Sequence, residues 1–285
     1  MSRRAGTACT CPVRGCRRVA MPAVYSKGFD AHTHLDDLVF DEDREQVLRR
    51  AKRAGVLGVC LAAGDPVRLP ELVALADRWG LAWCVGTHPW WVGEDTSLDA
   101  VRERLERYDP PIVGEMGLDR RRGAWETQRA AFALQLAWAA ERDRPVVLHA
   151  VRAVDDVLSA VARHSPPEAM IHAFAGSVQQ VERAMALGVY LSLGTSAVGA
   201  RGRAAEAIAA IHPDRLLLET DSPHRPIPGA SRGEPAHLTA VCEAVAAVRG
   251  EDSAELFARA GDSARRFFAA SLPAAESVES PDGVS

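Results

Sequence analysis

Along the chain, short runs of apolar and β-branched residues alternate with longer stretches whose apolar positions recur every three or four residues. That is the pattern of parallel strands feeding amphipathic helices. Eight such runs predict strands at 27–34 (KGFDAHTH), 56–63 (VLGVCLAA), 81–88 (LAWCVGTH), 111–118 (PIVGEMGL), 145–151 (PVVLHAV), 169–176 (AMIHAFAG), 189–195 (VYLSLGT) and 215–222 (RLLLETDS). Helical spacing fills the gaps, as in REQVLRRAKRAG after the first strand and ETQRAAFALQLAWAAER after the fourth, and several of these segments end in Gly. An open doubly wound sheet usually has fewer strands and a Gly-rich dinucleotide turn after the first, and no G-x-G-x-x-G follows strand one here. The expected fold is a single α/β domain, a (β/α)₈ TIM barrel over residues 26–271, with a last helix near 253–270 on the barrel's bottom or side. Residues 1–25 read as a disordered or artefactual extension, with Met21 as an alternative start, and the polar segment 272–285 as a disordered tail.

Chemistry in such a barrel sits where the C-terminal ends of the strands meet the following loops. His32 and His34 end the first run two residues apart, so alternation lets both imidazoles reach one ion. Glu115 is read as closing the fourth strand, His149 the fifth, His172 the sixth and Asp221 the eighth. One such residue alone is commonly a hydrogen-bonded surface or core group. Six together, buried without a cation, would cost several kcal/mol in desolvation and carboxylate repulsion. Four imidazoles and two carboxylates suit zinc, manganese, nickel or iron, and a bridging Glu115 would hold a pair of ions as readily as one. Asp221 is placed either to ligate an ion or to accept the proton of the attacking water.

Composition narrows the remaining classes. The 285 residues include 47% hydrophobic ones, enough for a sizeable core, and a net charge of -4 excludes binding of nucleic acid through a global positive field. Charges interrupt every apolar run before it reaches membrane-spanning length, and the arginine pairs Arg3-Arg4 and Arg17-Arg18 lack the apolar stretch of an export signal, so a cytoplasmic protein without membrane contact is expected. Of the six cysteines, Cys60 and Cys84 fall inside strand runs and read as packed thiols. Cys9, Cys11 and Cys16 make at most an incomplete zinc site.

The segments FDAHTHLD, VGTHPWW, VGEMGLD, VVLHAV, IHAFAGS, LLLETDSP and RGEPAHL, in that order, resemble the successive motifs of the TatD family of metal-dependent deoxyribonucleases. The resemblance covers about residues 28–270 and implies a divalent-metal phosphodiesterase acting on DNA, single-stranded or at 3′ ends, as a 3′–5′ exonuclease, with one or two ions (Mg²⁺, Mn²⁺ or Zn²⁺) on the six residues named. The chain departs from the family in three places. After His149 it reads Ala150-Val151-Arg152-Ala153, with the basic side chain one place late; Gly233 replaces a usual Asn; and Arg120-Arg121-Arg122 replace the aromatic residues that often follow G-L-D.

Substrate residues are expected on the same face. Arg120, Arg121, Arg122, Arg152, Arg201, Arg203, Arg225 and Arg232 all lie in loops after strands, where guanidinium groups bind phosphate in bidentate fashion, although all but two of the 34 basic residues are Arg and composition alone supplies some. Arg120, Arg121, Arg152, Arg225 and Trp90 are the candidates for substrate binding. His88 would orient a phosphate or protonate a leaving oxygen, beside catalytic Asp221 and Glu115; Trp90 and Trp91 would stack on a terminal base unless one of them packs in the core. His224 reads as a support for the ligands, and His164, His212 and His237 as surface or capping residues. Two rivals stay open: a hydrolase of carboxylic esters or amides, such as an aminoacyl-tRNA deacylase, and a low-turnover, partner-binding subunit. Oligomeric state is left open.

Overall fold

A computed structural model describes residues 28–272. Eight parallel strands form: β1 (Gly28–Thr33), β2 (Val56–Ala62), β3 (Ala82–Cys84), β4 (Val113–Asp119), β5 (Val146–Val151), β6 (Ala169–Ile171), β7 (Tyr190–Leu193) and β8 (Leu216–Leu218). Ladders join β1 to β3 and β4 to β8 in sequence order. Two seams close the ring. At one, Val85 N–H donates to Ile112 O at 3.3 Å and Gly114 N–H to Val85 O at 3.2 Å; at the other, His34 N–H donates to Ser222 O at 2.7 Å and Asp221 N–H to His32 O at 3.0 Å. The second seam lies between the segments that carry three of the expected ligands.

A helix follows every strand: α1 (Arg44–Arg53), α2 (Leu69–Trp79), α3 (Leu98–Tyr108), α4 (Trp125–Glu141), α5 (Val154–His164), α6 (Val178–Ala186), α7 (Arg203–Ala210) and α8 (Leu238–Arg249). A ninth, α9 (Ser253–Phe267), ends the domain. Strand faces turned outward pack on these helices in one continuous apolar layer, with Leu61, Leu148 and Leu191 among its buried members and Phe132, Leu136 and Val157 facing them from the helices. Inward faces build a second cluster from Phe29, Cys60, Val147, Met170, Tyr190 and Leu217. Phe267 and Phe268, at the end of α9, floor this inner cluster: the Phe268 ring stacks on Phe29 at 5.2 Å and Phe267 meets Tyr190 edge-on at 5.4 Å. The last helix therefore plugs the bottom of the barrel. Leu272, read from sequence as the first residue of a tail, packs against this cluster too.

Several strands are shorter than their apolar runs suggest. The ladders of β3, β6 and β8 stop at Cys84, Ile171 and Leu218, so His88, His172 and Asp221 stand on the loops just beyond them. Glu115 is the reverse case, since it lies inside β4, which runs on to Asp119. Residues 1–27, with Cys9, Cys11 and Cys16, and residues 273–285 lie outside the described part. Among the described residues no helix is long and apolar enough to cross a membrane.

Candidate metal centre

Two-residue alternation carries the inner face of β5 from Val147 to His149, and the same step past Met170 and Leu217 leads to His172 and Glu219. Apolar layers below thus give way to ionisable side chains at the top. Glu115 is pressed into this layer by close contact between β4 and β5. A Cβ on Gly117 would sit 2.0 Å from the His149 carbonyl oxygen, and one on Gly114 would sit 2.5 Å from that of Val147, so only glycine lets the two strands approach.

The six side chains expected as ligands converge around the Glu115 carboxylate. Its Oε1 lies 2.7 Å from His149 Nδ1 and 2.8 Å from His172 Nε2. Oε2 lies 3.1 Å from His32 Nε2 and 3.8 Å from His34 Nε2. Asp221 Oδ1 completes the second group, 3.4 Å from His34 Nε2 and 4.0 Å from His32 Nε2. All six are buried. Glu115 therefore stands between two sets of donors, one from His32, His34 and Asp221, the other from His149 and His172.

At His34 the outward-facing nitrogen fixes which one remains for an ion. His34 Nδ1 lies 3.0 Å from the Ala62 carbonyl, so a neutral ring carries its proton there and leaves Nε2 bare. His149 turns Nε2 toward Asp119 Oδ2 at 3.6 Å and His172 turns Nδ1 toward Glu219 Oε1 at 3.5 Å, neither of them a hydrogen bond, while Nδ1 and Nε2 respectively face inward. Those two inward nitrogens stand 3.1 Å apart, and the His32 and His172 rings stack at 4.0 Å. Both nitrogens of His32 are buried with no hydrogen-bond partner. Bare nitrogens facing one another and a central carboxylate fit a divalent cation, which satisfies all of them at once.

Electrostatics without a cation show the same pressure. Burial works against charge on Glu115, but neighbouring imidazoles, His172 above all, hold its carboxyl well below the usual range. Burial likewise disfavours protonation of His34, yet the hydrogen bond and charge of Asp221 push it up to about 9. His172 is raised in the same way against its burial, chiefly by Glu115, while His32 is lowered by burial and by the charge on His172. Protons stand in for metal charge in this arrangement.

His88 differs from the six residues expected as ligands. Its Nε2 lies 3.1 Å from Glu115 Oε1, inside the cluster rather than at its edge, but its Nδ1 accepts the Trp90 backbone N–H at 3.1 Å. A neutral His88 therefore holds its proton on Nε2, although the ring also falls with Glu115 and His149 in a group that could hold a metal ion.

Above the cluster opens a cavity of about 660 Å³. Trp90, Arg121 and Arg225 line it as expected, with Trp91, Arg122 and His224; Arg68 and Asp36, which sequence reasoning missed, line it as well. Both tryptophans are exposed, so neither packs in the core. Other expectations need correction. Arg120 does not line the cavity: it pairs with Asp156 at 2.8 Å and lies 4.1 Å over the Trp125 ring. Arg152, on left-handed backbone between β5 and α5, is exposed and also stands outside the lining, as do Arg201 and Arg203. Arg232 pairs with Asp43 and Glu234 over the Phe40 ring. His212 and His237 accept backbone N–H groups at helix starts, and His164 ends α5.

A model of the family described as TatD related DNase matches residues 29–269. The chain belongs to the TatD family. The 3′-5′ ssDNA/RNA exonuclease TatD of Erwinia tasmaniensis is 33% identical to it over 261 residues, covering 84% of this chain and 99% of that protein. The protein of the same name from Pantoea vagans is 35% identical over 257 residues, covering 84% and 98%. Among solved structures, the TatD homologue YjjV of Escherichia coli K12 superposes with a TM-score of 0.79 at 29% identity, covering 88% of this chain and all of that one. TatD-family membership makes the chain a hydrolase of a metal-dependent family, and groups on this barrel's rim, such as His32, His34 and Asp221, could hold a metal ion.

Proposed function

We propose that this chain is a divalent-metal-dependent phosphodiesterase that shortens single-stranded DNA from the 3′ end. One observation carries the reading: a buried carboxylate, Glu115, stands between two sets of imidazoles, with nitrogens of His32, His149 and His172 within 3.1 Å of its oxygens. His32, His34 and Asp221 would hold one ion, His149 and His172 a second, with Glu115 shared. Imidazole-rich donors favour Zn²⁺ over Mg²⁺. Bound there, such ions supply Lewis acidity toward a phosphate oxygen and make a nearby water more acidic.

The chain's own groups do the rest. Asp221, held below the ordinary carboxylate range against its burial by the His34 hydrogen bond, stays ionised and accepts the proton of the attacking water. His88 offers its Nε2 proton to the leaving oxygen. Arg121 and Arg225 on the rim supply planar donors for phosphate, and Trp90 offers an exposed ring to a base. The names of the Erwinia and Pantoea relatives support single-stranded nucleic acid and the 3′–5′ direction. We place the activity in the cytoplasm, where unpaired thiols such as Cys60, Cys84 and Cys242 are usual.

The test uses 5′-labelled single-stranded DNA, with RNA and an aryl carboxylic ester in parallel, assayed with Mg²⁺, Mn²⁺ or Zn²⁺ and with chelator. A ladder shortening from the 3′ end, abolished by chelator and by Glu115→Ala or His149→Ala, is the expected result. Turnover of the ester alone, or full activity in either variant, contradicts the reading.

A further inference from the structure

Trp90 combines exposure with a fixed orientation. Its side chain is on the cavity wall and the residue is 55% exposed, yet the indole N–H donates to Asp119 Oδ2 at 2.9 Å. Asp119 is itself buried and rigidly held. Its Oδ1 accepts the Arg121 backbone N–H at 2.8 Å, and the buried Gln128 side chain bonds its backbone N–H and carbonyl at 2.9 and 3.2 Å. An aromatic ring so exposed buries too little apolar area for packing to explain its ordering. A flat ring held at constant tilt, 5.3 Å from the centre of the His88 ring, suits stacking of a ligand beside the reacting groups.

Over the Trp90 ring lies the Arg122 guanidinium, 4.3 Å from its centroid. Arg120 and Arg232 also lie over aromatic rings, but each is neutralised by a carboxylate, Asp156 for one and Asp43 with Glu234 for the other. Arg122 shows no ion pair among the described residues, and it lines the cavity. Its charge is thus available to an anion at the edge of a stacking surface.

We propose that Trp90 and Arg122 form a clamp for one unpaired nucleobase and its neighbouring phosphate, and that this clamp sets the preference for single-stranded ends over duplex. The inference rests on the phosphodiesterase reading above. The base takes the indole face that Arg122 now covers, and the displaced guanidinium takes the phosphate through paired N–H groups. A base in a duplex end must leave its stack and its partner to reach the ring, which penalises duplex. Asp119 acts as the positioning residue, because it holds the indole on one side and faces His149 on the other.

Binding is measured in chelator, where no cleavage occurs, by anisotropy of a labelled single-stranded oligodeoxynucleotide and by intrinsic tryptophan fluorescence. Trp90→Ala and Arg122→Ala should each weaken single-strand binding about tenfold, as loss of one stacking or phosphate contact does, and leave blunt-duplex binding less affected. Trp90→Phe keeps an aromatic face but loses the hydrogen bond to Asp119, so its affinity should fall between those of the unsubstituted protein and Trp90→Ala, and it should lose the fluorescence quench that DNA causes in the unsubstituted protein. Single-strand affinities unchanged in both alanine variants, shown folded by circular dichroism, overturn the proposal, as does a quench that persists in Trp90→Phe. Failure of the unsubstituted protein to bind in chelator also overturns it, since neither clamp residue is a metal ligand. The predicted variant pattern without cleavage on adding metal would instead sink the phosphodiesterase reading and leave the clamp standing.

Discussion

His88 accepts the Trp90 backbone N–H at Nδ1 and turns Nε2 toward Glu115. Burial lowers its affinity for a second proton, so near neutrality it is a neutral imidazole with one transferable proton. His88→Ala should therefore keep its metal while kcat falls by about 10²- to 10⁴-fold and the pH–rate profile loses the limb that this group contributes. Elemental analysis beside the pH profile checks this, and loss of the metal in the variant contradicts the assignment. His34 sets a different pH dependence, in the chelated protein. Its folded value of about 9 lies above the ordinary 6.5, so its stabilising share is complete below about 6.5 and is lost as pH rises through 9. His149 and His172 are raised too, with the same sign. Scanning fluorimetry should show the melting temperature of chelated protein falling over that window, and a flat or rising profile contradicts the pairing. The six clustered side chains were legible because each is an ionisable residue set in an apolar run. Asp119 and Glu219 sit in the same motifs but were not singled out, since a carboxylate that faces only a ligand's far nitrogen resembles any loop acid. Arg120 misled for a related reason: spacing places a guanidinium on the rim but does not show that Asp156 and Trp125 capture it.

β4 and β5 are the elements that make the centre possible. Their contact leaves no room for a side chain at position 117, where a Cβ would meet backbone rather than a yielding side chain. Gly117→Ala should cost about 1–3 kcal/mol or more, as overpacking of a rigid site does, and should lower metal affinity by shifting Glu115 from His149. Chemical denaturation and metal titration of the variant check both effects; wild-type stability would show that the strands can part without harm. At this scale the sequence places all eight strands in order but extends several too far. Apolar alternation continues after the last ladder bond because the rim is still inward-facing, so periodicity alone does not mark where β3, β6 and β8 end. Helix α8 follows from no strong periodic signal, its residues being apolar on most sides, and the sequence pattern marks only the last helix near 253–270, which is α9.

As a whole, the barrel is floored by Phe267 and Phe268 and roofed by the ionisable layer, with apolar side chains between. Closure brings Asp221, late in the chain, beside His32 and His34 near its start, through backbone bonds at the β8–β1 seam. The fold class was legible because eight βα units leave few ways to bury eight inner faces; closure itself depends on the two seams, which no local pattern reveals. Net charge is negative over the chain, so attraction of a polyanion falls to the cavity rim and to any bound cations. The central claim is that remote side chains gather around divalent metal at that rim. Elemental analysis of purified, exhaustively dialysed protein tests it most directly: one or two divalent ions per chain, lost in Glu115→Ala, is the predicted result, and a folded protein that retains no metal and takes up none from Zn²⁺ or Mn²⁺ contradicts it.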